Sequence, residues 1–579
     1  MPRTPNATLL VAAAVACAAC SHARPHLDLS TTGARSGYLR TGRHEETVRL
    51  CHDFARAYAN ARCETIGETL QGRPIVALTI EKRRGLPAIV IEAGIHAGEI
   101  EGKDAGFAVL RDVLDGKLAP GVLDAASITF VPTINPDGHE RFGPNNRPNQ
   151  RGPEEMGFRT NGSRLNLNRD FVKADAPETR AMLGLLRTRD PVLFIDLHTT
   201  DGAKFQTDIS VNVAPASPRP DQLDETARAL SVVMQARLTT LGHLPVPFYP
   251  SFDVDTDPTS GFSVSEAPPR FTHFYAPTRG RMGMLVETHS WRTYKERVTS
   301  TYHTLQAVLE EATRSAPTWR RVADEADRAD AALAGTSVPL VWAATDHVTM
   351  IDFRGYAYES RTSDLTGGVW VTYDESKPEV WHVPLHDVLA PTVTITAPRA
   401  GYVIDGGYAR LLAPLLDVHG VQYEPIAGMP RIELEAYRAT TVTYGESYES
   451  HQRPTLVGAW APESRVLDQG AIFVPIAQPL ARLVMHMMEP TLPDSFAAWG
   501  LLNTAFERKE YMEEYVAEAA ARAMLAADPT LQAQFDAAVA AAPDVMKDPA
   551  KRLEFFYRRT PAWDERVNLV PIYRVARRP

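Results

Sequence analysis

His96-Ala97-Gly98-Glu99 sets an imidazole and a carboxylate three residues apart. The motif follows the mostly apolar stretch Leu86-Pro87-Ala88-Ile89-Val90-Ile91, by way of Glu92-Ala93-Gly94-Ile95. At a strand end such a pair can hold one face of a metal ion. His198 closes a second apolar run, Val192-Leu193-Phe194-Ile195-Asp196-Leu197, and Glu287 closes a third, Gly283-Met284-Leu285-Val286. In open α/β sheets, sites form beyond the carboxyl ends of strands. A catalytic zinc typically takes three protein ligands and leaves one position for water. His96, Glu99 and His198 can supply the three. A separate carboxylate must accept the proton of the activated water, and Glu287 stands where it can do so. A solitary His-x-x-Glu is common by chance, and a helix dipole alone favours a glutamate at its start. The three strand ends together carry the argument.

The elements that must position these residues follow from hydrophobic pattern. Val48, Phe54 and Tyr58 among charges predict a helix over 44–61. Strands are expected at 75–80, 86–92, 127–131, 192–197 and 283–286. Helices are expected over 99–114 and 292–313. Asn135-Pro136-Asp137-Gly138 is a strong turn signal, and 144–164 reads as a long loop rich in Gly, Pro, Asn and Arg. Short apolar strands alternating with helices predict an α/β domain whose central sheet is mixed and mostly parallel, flanked by helices.

At 579 residues the chain exceeds one typical core. An Ala/Asp/Arg-rich stretch over 321–335 precedes a second α+β region, 336–579, that reads as one or two subdomains and offers no motif with assignable chemistry. The net charge of -10, with no basic stripe, argues against a nucleic-acid partner. At the N-terminus, Arg3 precedes an apolar Leu/Ala/Val run reaching Cys20, too short for a bilayer span. Residues 1–20 therefore read as an export signal. They resemble a bacterial lipoprotein signal, with Cys17-Ala18-Ala19-Cys20 as its box. Two outcomes stay open: lipidation of Cys20, giving a membrane tether, or cleavage and release. Residues 21–40 read as a linker, and 41–320 as the catalytic domain. Export to the periplasm, outer membrane or exterior places Cys51 and Cys63 in an oxidising compartment, where a disulfide between them is expected.

The motifs resemble those of the zinc carboxypeptidases, the M14 metallopeptidases. The matching segments are Glu64-Thr65-Ile66-Gly67 with Gly72-Arg73-Pro74-Ile75, Gly94 to Glu99, Asn135-Pro136-Asp137-Gly138, Phe158-Arg159 with Asn166-Leu167-Asn168-Arg169-Asp170-Phe171, Asp196-Leu197-His198, and Leu285-Val286-Glu287-Thr288. They occur in the family's order over about 44–320. The resemblance implies one Zn(2+) held by His96, Glu99 and His198, and Glu287 as general base. It implies Arg159 as the carbonyl-polarising and oxyanion-stabilising group, and Asn168 with Arg169 as the grip on a terminal carboxylate. Two positions depart from the pattern. Asn166 stands where the family usually places the aspartate that orients the first histidine. No tyrosine stands at the usual distance before Glu287, which leaves Tyr275 as the expected substrate-capping residue. The implied activity is hydrolysis of C-terminal peptide bonds in short peptides or peptide-like amides. The alternatives are a zinc amidohydrolase or deacylase acting on cell-wall or small amide substrates, and a non-catalytic peptide-binding lipoprotein.

Overall fold

A computed structural model describes residues 27–579, so the export signal and Cys20 lie outside the described residues. The first nine strands are β1 (Ala61–Glu68), β2 (Pro74–Ile80), β3 (Ala88–Ala93), β4 (Ser127–Val131), β5 (Leu193–Thr199), β6 (Ile209–Ala214), β7 (Pro245–Val246), β8 (Phe262–Ser263) and β9 (Met282–Thr288). All but β8 join one mixed sheet in the order β1-β2-β4-β3-β5-β9-β6-β7. Its centre, β4-β3-β5-β9, is parallel throughout. Every residue of those four strands is buried, which is why they read as continuous apolar runs: helices cover both faces.

On one face, helices His44–Ala57, Glu101–Leu114, Leu223–Thr240 and Tyr294–Ala331 bury Phe54, Phe107, Leu110, Leu230 and Leu309 against Ile91, Phe130, Ile195 and Val286. Gly106 lets the Phe130 ring lie directly on the helix backbone, where any Cβ would collide with it. The helix from Tyr294 opens with a capping box, Thr293 with Glu296. It runs on to Ala331, past the expected domain end at 320. A disulfide joins Cys51 to Cys63, tying a helix to the edge strand β1. The linker expected over 21–40 is, across 27–40, fixed to the domain. Thr32 donates to Glu46 from its main-chain N (2.8 Å) and its hydroxyl (2.7 Å), and Tyr38 packs edge-on against Tyr294.

The second region adds β10 (Ser337–Ala344), β11 (Thr349–Thr362), β12 (Val369–His386), β13 (Leu389–Thr396), β14 (Gly401–Ile404), β15 (Glu424–Pro425), β16 (Arg431–Tyr448), β17 (His451–Val466), β18 (Ile472–Pro475) and β19 (Leu569–Val575). Six of them form an antiparallel sheet, β15-β18-β14-β19-β16-β17. β10 pairs with β13, and the β11–β12 hairpin borrows β8 from the first region as a third strand. The other face of the central sheet is covered jointly by helix Pro177–Arg189 and by this second region. Val90 and Phe194 share one apolar cluster with Leu412, Val474 and Met485. Among the described residues no helix is long and apolar enough to cross a membrane.

Candidate active site

His96 and Glu99 lie in the turn after β3, and His198 is near the end of β5. In the parallel pairing of β5 with β9, His198 is directly opposite Glu287. Three chain segments therefore deliver the four side chains to one end of the sheet, all of them buried. The Nδ1 atoms of His96 and His198 each lie 3.0 Å from one oxygen of the Glu99 carboxylate. One donor atom from each residue falls within 4.8 Å of the others. The outward nitrogens are held too: His96 Nε2 is 3.1 Å from Asn166 Oδ1, and His198 Nε2 is 2.6 Å from Asp196 Oδ2. Fixing the outer nitrogen sets the tautomer and aims Nδ1 inward, as metal-ligating histidines require. Two imidazoles and a carboxylate, so aimed, fit zinc.

Electrostatics agree with that fit. Burial outweighs Glu99 and pushes the His96 imidazole down to about 4, leaving it neutral, the form that ligates. Burial acts against the charge on Glu99, but His96 and Arg147 overcome it and hold the carboxyl well below its ordinary range. Burial also disfavours a charged His198, yet Asp196 and Glu99 hold its pKa well above the ordinary value. That negative field equally suits a divalent cation. Burial pushes the Glu287 carboxyl well up; His198 opposes this, and Glu99 and Asp196 add to it. Behind Asp196, Glu92 is raised by burial and then by Asp196 itself, with His198 opposing.

Arg159 places Nη1 3.5 Å from Glu99 Oε1, with about a third of its side chain exposed to the cleft. Arg169 is half-buried, with its guanidinium 4.1 Å over the Phe271 ring and Nη1 donating to Asn168 O at 2.6 Å. Burial lowers its pKa, Tyr448 opposes, and Arg159 and Arg270 add to the lowering. An anion is what this cluster of guanidiniums favours. Asn168 is buried and its Oδ1 accepts from Thr272 N at 3.2 Å, which ties the clamp to the segment leading into β9.

The expectation for Tyr275 is corrected. Its ring is fully buried against Phe171, and its hydroxyl lies 2.7 Å from His419 Nδ1, in the helix Gly406–His419 of the second region. It turns into the core because Thr272–Tyr275 is a helical turn whose residues are all buried. Tyr249, about a third exposed, is within reach of the site's charges: burial raises its hydroxyl, and Glu287, Asp201 and Glu99 add to it. Arg147 is a second residue the sequence did not reveal. Its Nη2 lies 2.8 Å from Glu99 Oε1, and its stem packs on Gly98, where a Cβ would meet Arg147 Cγ at 2.6 Å and Gly157 O at 2.7 Å. Gly98, inside the opening motif, is the one sequence signal of that approach. Away from the cleft, Arg279 donates to His419 O, and Arg281 pairs with Asp190 and Asp327.

Residues 47–247 match the family model for zinc carboxypeptidases, Peptidase_M14. Over that stretch the chain is similar to the metallopeptidase domain that the model describes. Glu287 lies beyond the matched stretch, so its place in the site rests on its register with His198. Among solved structures, the chain is similar to a metallo-carboxypeptidase from Burkholderia cenocepacia (16% identity, covering 46% of this chain and 68% of that one, TM-score 0.35). It is also similar to a Pseudomonas aeruginosa metallo-carboxypeptidase in complex with (2-guanidinoethylmercapto)succinic acid (16%, 47% and 69%, 0.35). A third is carboxypeptidase A from Helicoverpa armigera (13%, 49% and 74%, 0.36).

Proposed function

We propose that this protein is an exported zinc carboxypeptidase that removes C-terminal residues from short peptides or peptide-like amides. The observation that carries the reading is the convergence of the His96 and His198 Nδ1 atoms on Glu99, with Glu287 in register beside His198. His96, Glu99 and His198 would hold the zinc, which when bound would acidify water and withdraw electron density from a carbonyl. Glu287 takes the proton from that water; its upward-shifted carboxyl then suits delivery of the proton to the leaving amine. Arg159 supplies fixed positive charge where negative charge develops on the carbonyl oxygen. Arg169 offers a planar fork to the terminal carboxylate, which an internal peptide bond could not satisfy. The Cys51–Cys63 disulfide supports export to an oxidising compartment.

Paired substrates test this directly. The zinc-loaded protein should release the last residue of free-carboxyl peptides and leave C-terminally amidated ones intact. Glu287→Gln should lose at least about 1,000-fold in kcat while keeping its zinc, the scale of losing a general base. Equal turnover of free and amidated peptides would discard the carboxypeptidase reading in favour of an amidohydrolase.

A further inference from the structure

The β16–β17 hairpin projects from the second region and ends on the carboxylate clamp. Its turn residues Glu449 and Ser450 both have positive φ, 49° and 66°. This is the two-residue turn that Asn-Gly would fill most readily. Two side-chain-bearing residues in the left-handed region carry a local cost, and what the tip touches accounts for it. Glu449 Oε2 accepts from the main-chain N of Asn166 at 2.9 Å, two residues before Asn168. His451 Nε2 lies 2.7 Å from Asp175 Oδ2. Tyr448, the residue before Glu449, shares a layer of rings and guanidiniums with the clamp: Arg270 lies 5.8 Å over Trp499 and 5.9 Å over Phe271, the ring that also carries Arg169. The Tyr448 ring is held in a layered stack, 6.2 Å from the buried Trp499 ring, with Arg453 over both. No carboxylate forms an ion pair with Arg169 among the described residues, and Tyr448 reaches its neighbourhood through that layer of rings.

We propose that the tip of this hairpin completes the subsite for the substrate's terminal residue, with Tyr448 as a specificity-determining side chain and Glu449 as the positioning residue that docks it. The inference rests on the carboxypeptidase reading and extends it. The second region then belongs to the active site, and the ligand class is a free C-terminal amino acid whose carboxylate meets Arg169 and whose flank is bounded by the Tyr448 ring. The hydroxyl contributes one neutral hydrogen bond at the clamp, and the ring limits the size of the terminal side chain.

The test is steady-state kinetics of the full-length, zinc-loaded protein on free-carboxyl peptides ending in Ala, Leu, Phe, Lys or Glu. Tyr448→Phe should raise KM about 5-fold with kcat nearly unchanged, the scale of one neutral hydrogen bond. Tyr448→Ala should shift the kcat/KM ratio of Phe-ended to Ala-ended peptides about tenfold toward the larger residue. Glu449→Ala should reproduce the KM increase, and Glu449→Gln, which keeps an acceptor for Asn166 N, should restore it. Zinc content should stay at the wild-type value in all four variants. An active wild type whose Tyr448 variants keep its KM and its ranking of terminal residues overturns this inference alone. A wild type that releases no C-terminal residue overturns the carboxypeptidase reading, and this inference with it.

Discussion

The two ligand histidines receive different partners: His198 is held by the carboxylate Asp196, and His96 by the neutral amide of Asn166. A charged acceptor raises imidazole basicity more than an amide does, so the metal is tuned asymmetrically. Asp196→Asn and Asn166→Leu should each weaken zinc binding about 10- to 100-fold, while Asn166→Asp should tighten it. Competition with a chromogenic chelator reads all three, and equal affinities across the series would dismiss the outward nitrogens as a control point. At this scale the meeting of His96, Glu99, His198 and Glu287 was legible because His198 and Glu287 close apolar runs and the His96–Glu99 motif follows one. Tyr275 was misread because its direction is set by His419, more than a hundred residues later. Arg147 and Tyr249 were invisible because loops bring them in, and loop paths leave little trace in hydrophobic pattern.

At the scale of elements, the parallel centre β4-β3-β5-β9 was legible as buried strands. The fixed segment 27–40 was not, since its anchors are polar contacts to Glu46 and a ring contact to Tyr294. Elements are also joined through buried histidines. His139 Nε2 is 2.9 Å from Gly42 O, and His419, in the helix Gly406–His419, places Nε2 2.9 Å from Val172 O. Burial pushes these two imidazoles down to about 4, and His486, in helix Ala481–Met488, to about 3. The unfolded chain binds a proton at each near pH 6.5 and the folded chain does not. Their contribution is therefore fully present above pH 6.5 and is lost as the pH falls toward 4, then 3. By pH 5 the loss should be roughly 1–2 kcal/mol per imidazole. Thermal melts of the full chain should fall steadily from pH 7 to pH 5; a midpoint flat across that range would show that these sites do not stay neutral in the fold.

The sequence pattern divides the whole molecule into a catalytic domain and an appended region, and the packing joins them. One face of the central sheet has no cover of its own beyond helix Pro177–Arg189, and the second region supplies the rest, so Phe194 and Met485 share a cluster. Composition shifts mark where a chain changes character, but they do not show which surfaces meet. A polar network crosses the same boundary. Asp330, fully buried at the end of the long helix, pairs with Arg482 Nε of the second region at 2.7 Å and with Arg219 of the first at 3.3 Å. Removing the shared carboxylate leaves Arg482 facing Arg219 without its counter-charge, so Asp330→Ala should cost about 3–5 kcal/mol. Because the core is continuous, the loss should appear as a downward shift of one calorimetric transition in both wild type and variant. Two separated transitions in the wild type, or a variant in which only one half melts early, would restore the picture of two independent domains and remove the reason to place Asp330 at their junction.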